Sequence, residues 1–207
     1  MLVPFDPDQR IQLVHTSDRL RHALSDAAGQ APTRTLIRPP AAGRRPVGQR
    51  REDDSMNPPD ALQRLVDIEE IQQLKARYFR LMDTKDWAAF GALFTPDAVM
   101  DTDGFVHHGP GAILEFLPKI LDGVVTTHHG HMPEITITGP DTATGIWAMF
   151  DYLTFPGDGP PKGLRGHGHY HEQYRRVDGV WRIQHLVLTR LRVDPLDGGF
   201  PGPDELR

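Results

Sequence analysis

From Asp60 the apolar residues Leu62, Leu65, Ile68, Ile71, Leu74, Tyr78 and Leu81 recur every three or four positions, which predicts an amphipathic helix ending near Asp83. Asp86 can cap a second, short helix with Trp87, Phe90 and Leu93 on its inner side, stopped by Thr95-Pro96. Residues 98–101 then read as a short strand, Asp103-Gly104 as a turn and 105–108 as the return. Pro110 suits the first turn of a third helix whose face is Ile113, Phe116, Leu117 and Ile120. After Asp122-Gly123, alternating runs predict long strands over about 124–137, 142–155, 165–177 and 180–193. Helices and a small hairpin followed by four antiparallel strands predict an α+β fold with the helices packed on one sheet face.

The last two strands carry the strongest local signal. Val177-Asp178-Gly179-Val180 places an Asp-Gly pair between two alternating runs, which predicts a two-residue hairpin. If Val177 pairs with Val180, then Tyr174 lies opposite Ile183, Glu172 opposite His185 and Tyr170 opposite Val187, on the face that also holds Trp181. The other face carries His167, His169, His171, Gln173 and Arg175 opposite Arg190, Leu188, Leu186, Gln184 and Arg182. Glu172 beside His185 on the apolar face points to a polar pocket inside the fold. The plainer reading is a structural cross-strand ion pair worth roughly 0.2–1 kcal/mol.

Composition narrows the class. The chain has 207 residues and no cysteine, so neither a disulfide framework nor a thiolate metal site is available, which fits a reducing cytoplasm. No apolar run approaches the roughly 18 residues needed to span a bilayer, and no signal-peptide pattern opens the chain. Residues 1–55 carry nine Arg and seven acidic residues, a net +2, so the overall −5 leaves −7 on the remainder and makes nucleic acid a poor partner. The run Pro39-Pro40-Ala41-Ala42-Gly43-Arg44-Arg45-Pro46 cannot build a core, and 1–55 read as a disordered extension or an upstream start before Met56. The domain proper is expected over 56–195, with a flexible tail over 196–207.

Three segments agree in order: Phe79-Arg80-Leu81-Met82-Asp83-Thr84-Lys85-Asp86-Trp87, Leu93-Phe94-Thr95-Pro96-Asp97-Ala98-Val99-Met100-Asp101, and Tyr174-Arg175-Arg176-Val177-Asp178-Gly179-Val180-Trp181. With the element order they resemble the SnoaL-like branch of the nuclear transport factor 2-like superfamily, over about residues 60–193. The resemblance implies a cone-shaped α+β barrel, a curved antiparallel sheet wrapped on about three helices. Carried over from scytalone dehydratase, it implies His128 as catalytic base and Asp83 as its partner. That enzyme's two water-holding tyrosines fall on Met82 and Thr102 and its second histidine on Leu153, so the base side is kept and much of the acid side is lost. The pocket set implied on the strands is Trp147, Met149, Asp151 and Leu153, with Tyr170 and Glu172 on the hairpin.

A neutral imidazole is the natural base near neutral pH, and a carboxylate on its far nitrogen fixes the tautomer. The bland alternative keeps Asp83 as a helix-end group and His128 as a bonded core residue. The reading is therefore a cofactor-independent lyase or isomerase, most concretely a dehydratase acting on a hydrophobic cyclic or polyketide-like hydroxyketone. Catalytic roles fall to His128, Asp83, Tyr170 and Asp151, and substrate contacts to Tyr78, Met82, Thr102, Trp147, Met149, Leu153, Glu172 and His185. A non-catalytic binder of a hydrophobic ligand, or an accessory protein resembling a dioxygenase β subunit, shares the fold. The histidines at 129, 131, 167, 169 and 171 invite a metal, but their facing argues against one, and no metal or cofactor is expected. The face with His167, His169, His171, Leu186, Leu188 and Arg190 suits a homodimer interface, while Asp101, Asp103, His107 and His108 read as solvated around a turn. Neither nucleic acid nor membrane is expected as a partner.

Overall fold

The computed structural model describes residues 58–202. The expected extension over 1–55 lies outside the described residues, as do residues 203–207. Helix α1 (Pro58–Thr84) opens on two prolines, whose missing N–H groups cost nothing in a first turn, with Asp60 near the positive end of its dipole. It closes in a Schellman turn. Lys85 takes φ 60°, its N–H bonds the Met82 carbonyl at 3.3 Å, and the Asp86 N–H reaches back to Leu81 at 3.1 Å. Asp86 then caps α2 (Trp87–Gly91), accepting from the Ala89 N–H at 3.2 Å.

Strand β1 (Phe94–Thr102), strand β2 (Phe105–His108) and helix α3 (Gly109–Leu121) follow. The strand begins before residue 98 because Pro96 falls where the pairing with β6 is irregular, so its absent N–H breaks no ladder bond. Ile113, Phe116, Leu117 and Ile120 are buried on α3, as their spacing predicts. The long strands are β3 (Val125–Gly139), β4 (Thr142–Phe155), β5 (Lys162–Val177) and β6 (Val180–Pro195). They form one six-stranded sheet in the order β2-β1-β6-β5-β4-β3. The four long strands are antiparallel, and β1 runs parallel to β6, which makes the sheet mixed. The architecture is α+β, an open sheet with the helices packed on it.

The hairpin turn has Asp178 and Gly179 at φ 53° and 77°, the two positive values a primed turn needs. Val177 pairs with Val180 and Tyr174 with Ile183 as expected, but the register then slips. Beyond Tyr174, Gln173 faces His185, Glu172 faces Leu186 and Tyr170 faces Leu188. One extra residue in β6 forms a β-bulge and exchanges the faces of everything beyond it. Leu186 and Leu188 therefore enter the core, and Arg190 turns inward with them. The Glu172–His185 contact does not exist, and Leu186, Leu188 and Arg190 do not belong to the outer face. His129, His167 and His171 do point outward and are exposed.

Two further expectations change. His107 is buried and stacked on Phe116, with ring centroids 4.1 Å apart, and Asp103 is paired with Arg190, so neither is freely solvated. Burial, with His108 next to it, holds the His107 pKa below its ordinary value. Residues 196–202 are not a loose tail: the Leu196 N–H bonds the Gly163 carbonyl at 3.1 Å, the Gly198 N–H bonds Pro161 at 3.0 Å, and Leu196 is buried. On α1 the apolar stripe is covered only from its middle onward. Ile71, Leu74, Tyr78 and Leu81 are in the core, whereas Leu62 and Leu65 are each 64 % exposed. Among the described residues no helix is long and apolar enough to cross a membrane.

Candidate functional site

The end of α1 and the start of β3 bring Asp83 and His128 together. The Schellman turn fixes the last helical turn on which Asp83 sits, and the alternation of β3 turns Thr126 and His128 inward while Thr127 and His129 face out. Asp83 Oδ1 lies 2.7 Å from His128 Nδ1. Its other oxygen accepts the backbone N–H of His128 at 2.9 Å, so one carboxylate holds both the ring and the main chain of the same residue. Thr126 donates its hydroxyl to Asp83 Oδ1 at 2.8 Å and accepts from Lys85 Nζ at 2.7 Å. Burial works to raise the Asp83 pKa, but the hydrogen bonds from the His128 ring and backbone and from Thr126 hold it below the ordinary carboxylate value. An ionised carboxylate only accepts, so Nδ1 carries the proton and Nε2 is left as the basic nitrogen.

His128 lines an inner cavity of about 100 Å³. Tyr78, Met82, Thr102 and Leu153 line it, together with Tyr170 and Asp151. Met100 and Phe105 from the small hairpin, and Phe116, Leu117 and Ile120 from α3, make the rest of the wall predominantly apolar. Trp147, Met149 and Glu172 are buried on the same sheet face without lining this cavity, and His185 lies on the opposite side of its strand from Leu186. Trp147 instead borders a shallow outer groove between α1 and β3, which His128 also touches.

Beside His128, whose register partner on β4 is Asp151, stands a charged cluster. Arg190 donates to both oxygens of Asp151, at 3.0 and 2.7 Å, and through Nε to Asp103 at 3.0 Å. Burial opposes the Arg190 charge, but Asp151 and Asp103 outweigh it and hold the guanidinium pKa above its ordinary value. Asp151, expected as a group assisting the leaving hydroxyl, has both oxygens committed to Arg190. The pair fits because of Gly166, its neighbour on β5. A Cβ there would lie 2.0 Å from Arg190 Nη1 and 2.1 Å from Asp151 Oδ1.

Arg190, Asp103, Thr126 and Lys85 are absent from the sequence-based set. For Arg190 no local signal exists, since simple alternation from the hairpin turns it outward. Lys75 had a signal, because it stands three residues after Gln72 and one after Leu74, in phase with Ile71, Tyr78 and Met82 on the apolar stripe. It is fully buried and forms an ion pair with Glu172. Among the described residues no three His, Asp or Glu side chains converge closely enough to hold a metal ion.

Comparison with known proteins follows the same outline. Residues 63–187 match the model of a family described as a SnoaL-like domain. A protein of Gibberella zeae named "Probable cyclase FGR4" is 27 % identical over 139 residues, covering 58 % of this chain and 89 % of that protein. Among solved structures, a hexachlorocyclohexane dehydrochlorinase, LinA type 2, superposes with a TM-score of 0.60 at 21 % identity, over 69 % of this chain and 97 % of its own. A candidate scytalone dehydratase of Novosphingobium aromaticivorans gives 0.60 at 20 % identity, over 65 % and 90 %. At these identities the two structures speak for the fold.

Proposed function

The chain belongs to the SnoaL-like domain family, and from that premise we propose that it is a cofactor-independent lyase or isomerase that removes a proton next to a carbonyl. Its most concrete form is a dehydratase acting on a compact, hydrophobic hydroxyketone. The observation that carries the reading is the double hold of Asp83 on His128, through Nδ1 at 2.7 Å and the backbone N–H at 2.9 Å, at the wall of an apolar cavity. A base needs a fixed tautomer and a counter-charge for the imidazolium, and Asp83 supplies both.

In this reading His128 Nε2 takes the proton from the carbon beside the carbonyl, and the electron pair moves onto the carbonyl oxygen. Tyr170, with the Arg190 guanidinium beyond it, stabilises that developing enolate. When the enolate collapses, the bond to the neighbouring hydroxyl breaks. The proton held by His128 goes to the departing oxygen, releasing water and an unsaturated ketone and restoring the neutral imidazole. Asp151 and Asp103 set the orientation of Arg190 and temper its charge, which favours neutral substrates over carboxylates.

The test is exchange and elimination on a panel of cyclic hydroxyketones in deuterated water, followed by NMR. The wild-type protein is expected to exchange the proton next to the carbonyl and build up the unsaturated ketone, and His128→Ala to do neither. Undiminished exchange by His128→Ala moves the base elsewhere. Binding of these ketones with no exchange by either protein favours a ligand-binding role.

A further inference from the structure

Behind the cavity wall lies a charge that the reaction as written does not use. Lys75 is fully buried, with its ammonium 3.7 Å from the ring centroid of Tyr170 and 3.9 Å from that of Tyr78. Those two tyrosines line the cavity, and Lys75 does not. Its counter-charge is Glu172, also fully buried, which accepts from Lys75 Nζ and from the Tyr174 hydroxyl. Tyr174 in turn accepts from Trp147 Nε1 at 2.8 Å, so every group of the network has a partner. A lysine without access to solvent is rare and costly to keep. A hydrophobic residue would fill this place on α1 at less cost.

A cation on the face of a phenol ring draws electron density from it and makes its O–H a better donor. Here one cation serves two phenols at once, whose rings meet edge to face with centroids 5.9 Å apart. Burial and then the Glu172 carboxylate push the Tyr78 pKa upward, and burial pushes that of Tyr170 the same way. Lys75 touches Glu172 and both rings, and its positive charge opposes the effect of that carboxylate on them. We propose that Lys75, with Glu172 as its counter-charge, is a positioning residue that polarises the Tyr78 and Tyr170 hydroxyls toward a developing oxyanion in the cavity. The proposal rests on the reading of Tyr170 as the donor to an enolate, and it adds a residue that acts through the phenols without touching substrate.

The probe is para-nitrophenol, whose phenolate mimics an enolate oxygen and is read by its absorbance, with para-nitrotoluene as the neutral shape control. The wild-type protein is expected to bind the phenolate form in preference to the control. Lys75→Met should lower the ionised fraction of bound probe roughly tenfold, the size expected for a desolvated cation–π contact, while leaving affinity for para-nitrotoluene unchanged. Glu172→Gln should raise that fraction, because it removes the charge that opposes ionisation. A merely structural role predicts loss in both variants, so movement in the same direction, or none, overturns the proposal. Absence of phenolate preference in the wild type overturns the enolate reading itself, and the two failures are thereby distinct.

A measurement on the unmodified protein holds whether or not the variants fold. The charged and titratable groups around Lys75 are Glu172, Tyr170 and Tyr174 on β5 and Tyr78 on its own helix. Burial brings the Lys75 pKa down to about 8, so its charge is lost within an accessible range. In protein labelled at the tyrosine ζ carbon, the resonances of Tyr78 and Tyr170 should move together through that pH, with that of Tyr174, which donates to Glu172, responding beside them. Resonances of Tyr78 and Tyr170 that both stay still across it overturn the proposal.

Discussion

His128, Asp83 and Gly166 carry the sharpest consequences at the scale of single residues. His128→Ala should lower turnover of the identified substrate by roughly 10²–10⁴-fold with little change in affinity, since the imidazole acts on the transition state and not on the bound ketone. Asp83→Asn keeps the size but loses the charge that steadies the imidazolium. Combined with His128→Ala it should cost hardly more than His128→Ala alone, because the two act as one unit, and full additivity in steady-state kinetics would reject that unit. Gly166→Ala drives a Cβ into the space of Arg190 and Asp151. It should destabilise the fold by about 1–3 kcal/mol as an overpacked site does, and should detach the guanidinium from Asp151. Urea titration reads the first effect and the arginine side-chain N–H resonances read the second.

Among the elements, α1 divides into two halves with different energetics. Leu74 is in the core, and Leu74→Ala should cost about 2–5 kcal/mol for the lost burial and the cavity left behind. Leu65, although in phase with it, is 64 % exposed, and Leu65→Gln should stay within about 0.5 kcal/mol. Equal losses in chemical denaturation would mean that the first turns of α1 are covered in solution. Strand β6 shows the same contrast between pattern and outcome. Its alternation is regular from Trp181 to Ile183, and the bulge beyond it carries Leu186, Leu188 and Arg190 to the inner face. A charge at Leu188 would therefore strike the core and not an outer interface.

For the whole molecule the buried titratable groups set the response to pH. Asp83 has a folded pKa below its ordinary value, so its contribution is complete above the unfolded value of 3.8 and disappears as pH falls through the folded one. Lys75 is the alkaline counterpart. Its pKa drops from 10.5 unfolded to about 8 folded, so between these values the unfolded chain binds more protons and stability rises with pH. Tyr78, Tyr170 and Tyr174 have raised values against an ordinary 10.0, so above that pH the unfolded chain loses protons first and stability falls. Urea midpoints should therefore climb from about pH 8 to 10 and then decline. The rising limb should vanish in Lys75→Met, and its persistence there would assign it to another group.

Much of this molecule is written in short-range sequence. The stripe on α1, the Asp86 cap, the Ile113 face of α3 and the Asp178-Gly179 turn each follow from a few neighbouring residues, because helix and hairpin geometry repeat over three or two positions. Only the family resemblance links His128 to Asp83 in the sequence, since no local spacing relates two residues 45 positions apart. What only the tertiary structure decided is long-range or depends on a single inserted residue. The parallel seat of β1 on β6 is chosen by packing across the fold. The bulge in β6 breaks the Glu172–His185 pairing and turns Arg190 inward onto Asp151. Alternation is a period of two, so one extra residue reverses every side chain beyond it, and whether that residue is accommodated is settled by the core that the reversed side chains must fill.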